Sequence, residues 1–181
     1  MTRTTVAALG GVLLAGVLHI VVVLLVPNYA SRDAWAQMRQ YGRDGAFHVL
    51  PLPQPGAEPL ASLDPRMMHA VCRFSLAARP MRIVAELPDG FWSLAVFDRR
   101  GRNVYSLNDR SAERDEIDLA ILTPVQMARL RQNPPEALET AIVLEVPIEE
   151  GFVLLRTFVA DDSLIIEASE ALSAAECGAD L

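Results

Sequence analysis

The sequence predicts a small, mainly β domain, an antiparallel β-sandwich of jelly-roll-like type with one or two peripheral helices, joined to one N-terminal transmembrane helix. Three observations carry this. Val6 to Val26 form an apolar run without a formal charge. Short apolar segments of strand length then recur, separated by Pro, Asp, Asn and Gly turns. Of the 181 residues, those beyond the apolar run suffice for one domain of ordinary size, and they show no solenoid-type repeat.

The apolar run sets the first boundary. Its 21 residues include 14 Val, Leu or Ile, and at about 1.5 Å per residue a helix of that length crosses the roughly 30 Å hydrocarbon core. The apolar side chains outweigh the cost of the glycines and of His19, so insertion is favourable by several kcal/mol, roughly. A signal peptide cleaved at Ala30 is the competing reading. The run is too long for a usual signal core, and Asn28 stands where a small residue is wanted, so an uncleaved anchor over residues 1–27 is expected. Ala7, Gly11, Ala15 and His19 recur every fourth residue, a stripe through which a second helix could approach; alanine and glycine are also simply common in such helices. Pro27 and Asn28 are expected to end the helix, with Tyr29 and Trp35 among the lipid headgroups.

Residues 28–62 read as a juxtamembrane helix, Ser31 to Gln40, and a proline-rich tether containing Pro51, Pro53, Pro55, Gly56 and Pro59. The domain proper is expected over residues 63–181. Asp64-Pro65 predicts one helical turn before a strand from Ala70 to Leu76. Met81–Leu87, the turn Pro88-Asp89-Gly90 and Phe91–Phe97 predict a hairpin. Asp98 to Gly101 repeats the punctuation before Asn103–Leu107, so three successive strands are expected to form a meander. Further strands are expected at Ile117–Leu122, Ala141–Val146 and Phe152–Val159. A short helix capped by Thr123 spans Pro124–Gln132, and a last one, capped by Asp162 or Ser163, runs to Glu176.

The stretch Leu87-Pro88-Asp89-Gly90-Phe91-Trp92-Ser93-Leu94, with Val96-Phe97-Asp98, Gly101, Asn103, Tyr105 and Asn108-Asp109, resembles the bacterial family called domain of unknown function 1254. The leading anchor, Asp64-Pro65 running into Val71-Cys72-Arg73-Phe74, and the cysteine near the C-terminus resemble its short, membrane-anchored members. The resemblance implies a β-sandwich, a place in the cell envelope, and a companion β domain that is fused in longer relatives and absent here. It carries over no catalytic residues. Together with the cysteines it favours a single-pass protein of the bacterial inner membrane with its domain in the periplasm; the flanking arginines nearly balance and do not decide orientation.

Acidic residues outnumber basic ones, 23 to 16, and none precedes Asp33. The domain is therefore acidic, and nucleic-acid binding is disfavoured. Cys72 and Cys177 are the only cysteines. An even count in an exported domain suggests a bridge between them; the alternative is Cys72 buried as a small apolar residue and Cys177 on a frayed end. His48 and His69 lack metal-ligand spacing, so no metal is expected. No phosphate loop or nucleophile elbow is present and no cofactor is expected, so a catalytic role is less favoured than a noncatalytic one. Two functions stay open. One is an accessory or protein-interaction module held in the lipid bilayer, partnered by a companion membrane-anchored β-domain protein. The other is an envelope enzyme or ligand binder with a pocket at the sandwich edge formed by Trp92, Tyr105, Asp98, Asp109 and Arg110, residues that could equally serve turn chemistry.

Overall fold

The structure is a computed structural model that describes residues 2–52, 54, 60, 63–112, 116–135 and 138–178, and only the backbone of residues 27–34 and 36. Helix α1 runs unbroken over Arg3–Met38. Its Arg3–Val26 part has a mean hydropathy of 2.8 and no surface covered by the rest of the chain, so it is long and apolar enough to cross a membrane. The expected stop at Pro27 and Asn28 and the separate helix at Ser31 do not occur. A proline inside a helix removes one backbone hydrogen bond. Here the alanines, arginines and Met38 that follow favour helix, and the far end is held by packing on the domain.

Nine strands follow among the described residues: β1 (His48–Val49), β2 (Met67–Ser75), β3 (Met81–Glu86), β4 (Trp92–Asp98), β5 (Asn103–Asn108), β6 (Glu116–Leu122), β7 (Ile142–Glu145), β8 (Glu150–Phe158) and β9 (Glu176–Gly178). Helix α2 (Pro124–Leu130) lies between β6 and β7, and α3 (Ile165–Ala174) between β8 and β9. They form two sheets, ordered β1-β2-β8-β4-β5 and β7-β6-β3-β9. The fold is a β-sandwich, as the patterning predicts. Its core joins Ala70, Phe74, Trp92, Leu94 and Leu155 of the first sheet to Ile83, Ile117, Leu119 and Ile121 of the second. Ala168 and Leu172 of α3 enter the same core.

The expected meander is corrected. β4 and β5 do form an antiparallel hairpin, but β3 belongs to the other sheet and pairs with β6 and β9. The turn at Pro88-Asp89-Gly90, with Gly90 at φ 124°, carries the chain across the core instead of back along one sheet. Both strands bury one apolar face, Met81, Ile83 and Ala85 on β3 and Trp92, Leu94 and Val96 on β4. Placing them in opposite sheets turns those faces toward each other, which buries more apolar surface than a flat hairpin does. β7 runs parallel to β6, the one departure from antiparallel pairing among the described strands. The crossover that contains α2 makes this possible.

Local signals inside the domain hold well. Thr123 accepts from the Gln126 backbone while the Gln126 side chain accepts from the Thr123 backbone, a capping box. Gln126 also reaches across to donate to the Leu76 carbonyl at 2.7 Å. Asp161, one residue before the expected cap, caps the short 3₁₀ turn that leads into α3. Asp64 accepts from the Arg66 backbone in a single turn ahead of β2. Pro53, Pro55, Gly56 and Pro59 of the expected tether lie outside the described residues. On either side of them, Leu50 is buried and Leu60 and Leu63 pack on the first sheet. Gly151 on β8 is required by close approach: a Cβ there would stand 2.4 Å from the Phe97 carbonyl oxygen.

Candidate functional site

The residues expected to form an edge pocket do not converge. Trp92 opens β4 with its side chain in the core, 1% exposed. Asp109, just past β5, donates its backbone N–H to the Trp92 carbonyl at 3.3 Å, and its own buried Oδ1 has no hydrogen-bond partner among the described residues. Tyr105 stands opposite Val96 and packs partly buried against the core. Arg110 is exposed, its backbone N–H bound to Asn108 Oδ1 at 3.1 Å. Asp98 lies at the far end of β4 from Trp92, about 20 Å along the strand. It accepts from the backbone N–H of Arg100 at 2.8 Å and of Arg102 at 2.9 Å, and from Arg102 Nε at 2.7 Å. Burial works against its charge, but these donors outweigh it and hold the carboxyl below the usual range. Asp98 is thus the organiser of the β4–β5 turn.

A cleft of about 480 Å³ does open at this sandwich edge, one step beyond the expected residues. Leu107, Ser111 and Ala112 line one side; Glu116, Asp118, Thr140 and Ile142 line the other. Asp118 is engaged in a two-point pair with Arg82, both contacts at 2.9 Å. That hydrogen bonding raises the Arg82 pKa further. Strand β7 bounds the cleft and, among the described residues, is paired on one side alone, with Ile142 38% and Val143 37% exposed. Among the described residues no group of three or more His, Cys, Asp or Glu is placed to hold a metal ion.

The other notable constellation is the junction of α1 with the domain. Trp35, expected among headgroups, lies instead against Phe152 with ring centres 6.3 Å apart, and Phe152 stacks on Phe97 at 4.9 Å. The guanidinium groups of Arg73 and Arg99 sit 5.4 and 5.9 Å from the Trp35 ring, within cation–π range. Arg73 is in turn paired with Asp44, and Arg99 with Glu150 at 2.9 Å. Met38, Leu50 and Val71 complete the buried patch. Sequence reasoning missed this contact, because it placed Trp35 among the lipid headgroups. The side chain of Tyr29 lies outside the described residues. Ala7, Gly11, Ala15 and His19 are all exposed, and a Cβ on Gly11 would meet nothing within 4 Å.

Cys72 on β2 and Cys177 on β9 are joined by a disulfide, with Cα atoms 6.5 Å apart. The bond ties the two sheets together at the edge where α3 packs.

Comparison with known proteins finds a family and solved structures. The profile of a family described as "Protein of unknown function (DUF1254)" matches residues 45–175. A structure of the VPA0106 protein from Vibrio parahaemolyticus superposes with a TM-score of 0.57 at 11% identity, covering 84% of this chain and 35% of that one. A putative uncharacterised protein from Burkholderia cenocepacia gives a TM-score of 0.43 at 17% identity, over 62% of this chain and 32% of that one. The chain therefore spans about a third of the length of these solved structures. No curated protein matches it.

Proposed function

The chain belongs to the DUF1254 family of proteins of unknown function, and from that membership we propose that it is a noncatalytic accessory module of the bacterial cell envelope, held by α1 and docking a companion β-domain protein. The observation that carries the reading is the edge of β7 that pairs with no strand among the described residues, with Ile142 and Val143 exposed beside the cleft. An edge strand with free backbone groups and apolar side chains is a template for a further strand, and natural proteins cover such edges. α1 is the retained anchor in the inner membrane, and the sandwich faces the periplasm, where the Cys72–Cys177 bridge suits an oxidising compartment. The small-residue stripe at Ala7, Gly11 and Ala15 provides a second contact, with the companion's own helix.

The test is co-purification from native membranes in mild detergent. We expect a second, β-rich membrane protein to accompany the tagged chain and to crosslink near β7. Val143→Lys is expected to abolish its recovery, and Gly11→Ile with Ala15→Ile to reduce it. Recovery of monomer alone, indifferent to all three changes, removes the proposal. The orphaned Asp109 Oδ1 near the cleft favours a second reading, an envelope enzyme or binder of a polar ligand at that edge. Loss of ligand binding or turnover in Asp109→Ala with companion recovery intact would favour that reading.

A further inference from the structure

A second site stands on the outer face of the five-stranded sheet, away from the edge cleft. His69 on β2 is the register partner of Arg156 on β8, and Arg156 is the register partner of Ser93 on β4. Opposed residues hold their Cβ atoms roughly 4.5–5.5 Å apart, so the three side chains form one continuous row. Arg156 Nε donates to Ser93 Oγ at 2.5 Å. Ser93 is 7% exposed and His69 2%, while Arg156 is half-buried.

Among the described residues the row is incomplete. Among the described residues Arg156 makes no ion pair, and only its Nε is engaged, leaving the paired Nη edge free. Nδ1 of His69 is buried and has no hydrogen-bond partner among the described residues. A partly buried cation without an ion pair among the described residues and an unsatisfied buried ring nitrogen each cost free energy, and here they stand side by side, with the Asp64 carboxylate near enough to act on His69. Ser93 Oγ accepts from Arg156, which leaves its own proton free to donate. One pleat further along the same face, Phe158 and Phe91 are 39% and 40% exposed and adjacent, the Phe158 N–H bonding the Phe91 carbonyl at 2.8 Å.

We propose that this row binds the carboxylate of an amphiphilic monoanion, an alkyl or aryl carboxylate, with Arg156 and Ser93 gripping the carboxylate and Phe158 and Phe91 carrying its apolar body. The planar guanidinium edge matches the two oxygens of a carboxylate. A single positive charge suits a monoanion better than a phosphate dianion, since His69 is held neutral with its pKa lowered to about 4 by burial and by Arg156. The inference is independent of the companion reading.

Isothermal titration of the full chain in nanodiscs tests it, with benzoate as the probe and benzyl alcohol and inorganic phosphate as controls. We expect saturable benzoate binding at millimolar concentrations or below, with benzyl alcohol and phosphate each weaker by about tenfold or more. Arg156→Gln is expected to weaken benzoate by about tenfold. Phe158→Ser, at an exposed position, is expected to weaken it several-fold with the circular dichroism unchanged, which separates loss of the site from loss of the fold. Absence of saturable benzoate binding, binding indifferent to both substitutions, or phosphate binding as tight as benzoate overturns the proposal.

Discussion

His69 shows how one buried side chain makes stability depend on pH. In the unfolded chain its imidazole takes a proton near the ordinary 6.5, whereas burial, reinforced by Arg156 and opposed more weakly by Asp64 and the Met67 backbone, delays this to about 4 in the fold. Between those values the unfolded chain holds more protons, so stability is complete above pH 6.5 and declines as pH falls toward 4. The loss reaches roughly 3 kcal/mol in total. Urea unfolding in detergent should therefore show a lower midpoint near the acid end of that window, and His69→Gln should flatten the dependence. An unchanged slope in the variant would place the effect elsewhere. The sequence shows His69 as a histidine without metal spacing. Its burial beside Arg156 depends on which strands are neighbours, and residues 69 and 156 are too far apart in the chain for local pattern to reveal that. Asp98 is the opposite case, since its role in the Asp98–Gly101 turn is readable from turn chemistry alone.

At the scale of elements, α1 joins an apolar helix, long enough to cross a membrane, to a stalk that reaches the domain. From Val26 to Trp35 the helix rises about 14 Å, so docking of Trp35 on Phe152 fixes the sandwich at a set distance and orientation from the apolar part of α1. Trp35→Ala should remove the ring contact and both cation–π contacts, at a cost of about 2–3 kcal/mol to the junction. The expected outcome is faster limited proteolysis between Arg39 and Arg43 with the domain core still resistant. Equal cleavage rates in the two proteins would show that the junction is held by other contacts. The continuity of α1 was hidden by Pro27, whose local rule is to stop a helix, and was decided by tertiary packing at Trp35 and Met38. By contrast α2 could be read from Thr123, Pro124 and Gln126, because its cap is made by residues three apart.

For the molecule as a whole, the Cys72–Cys177 bridge closes a separation of 105 residues and pins the terminal strand β9 to the facing sheet. In the chain-entropy account a loop of that size stabilises by roughly 4–5 kcal/mol, with any strain subtracting. Reduction, or the pair Cys72→Ala and Cys177→Ala, should lower the denaturation midpoint substantially and loosen β9 and α3 first in hydrogen exchange. A midpoint insensitive to reductant would mean that the bridge contributes little. What the sequence by itself determined are the apolar helix at the start, the positions of most strands and the sandwich class, because these follow from hydropathy and residue period within short windows. Tertiary structure alone decided that β3 and β4 face each other across the core, that β7 runs parallel to β6, that α1 docks on the sheet, and that His69, Arg156 and Ser93 share a row. An apolar strand satisfies its own pattern equally well in either sheet. The choice is made by partners distant in the chain and by the total apolar surface that a given arrangement removes from water.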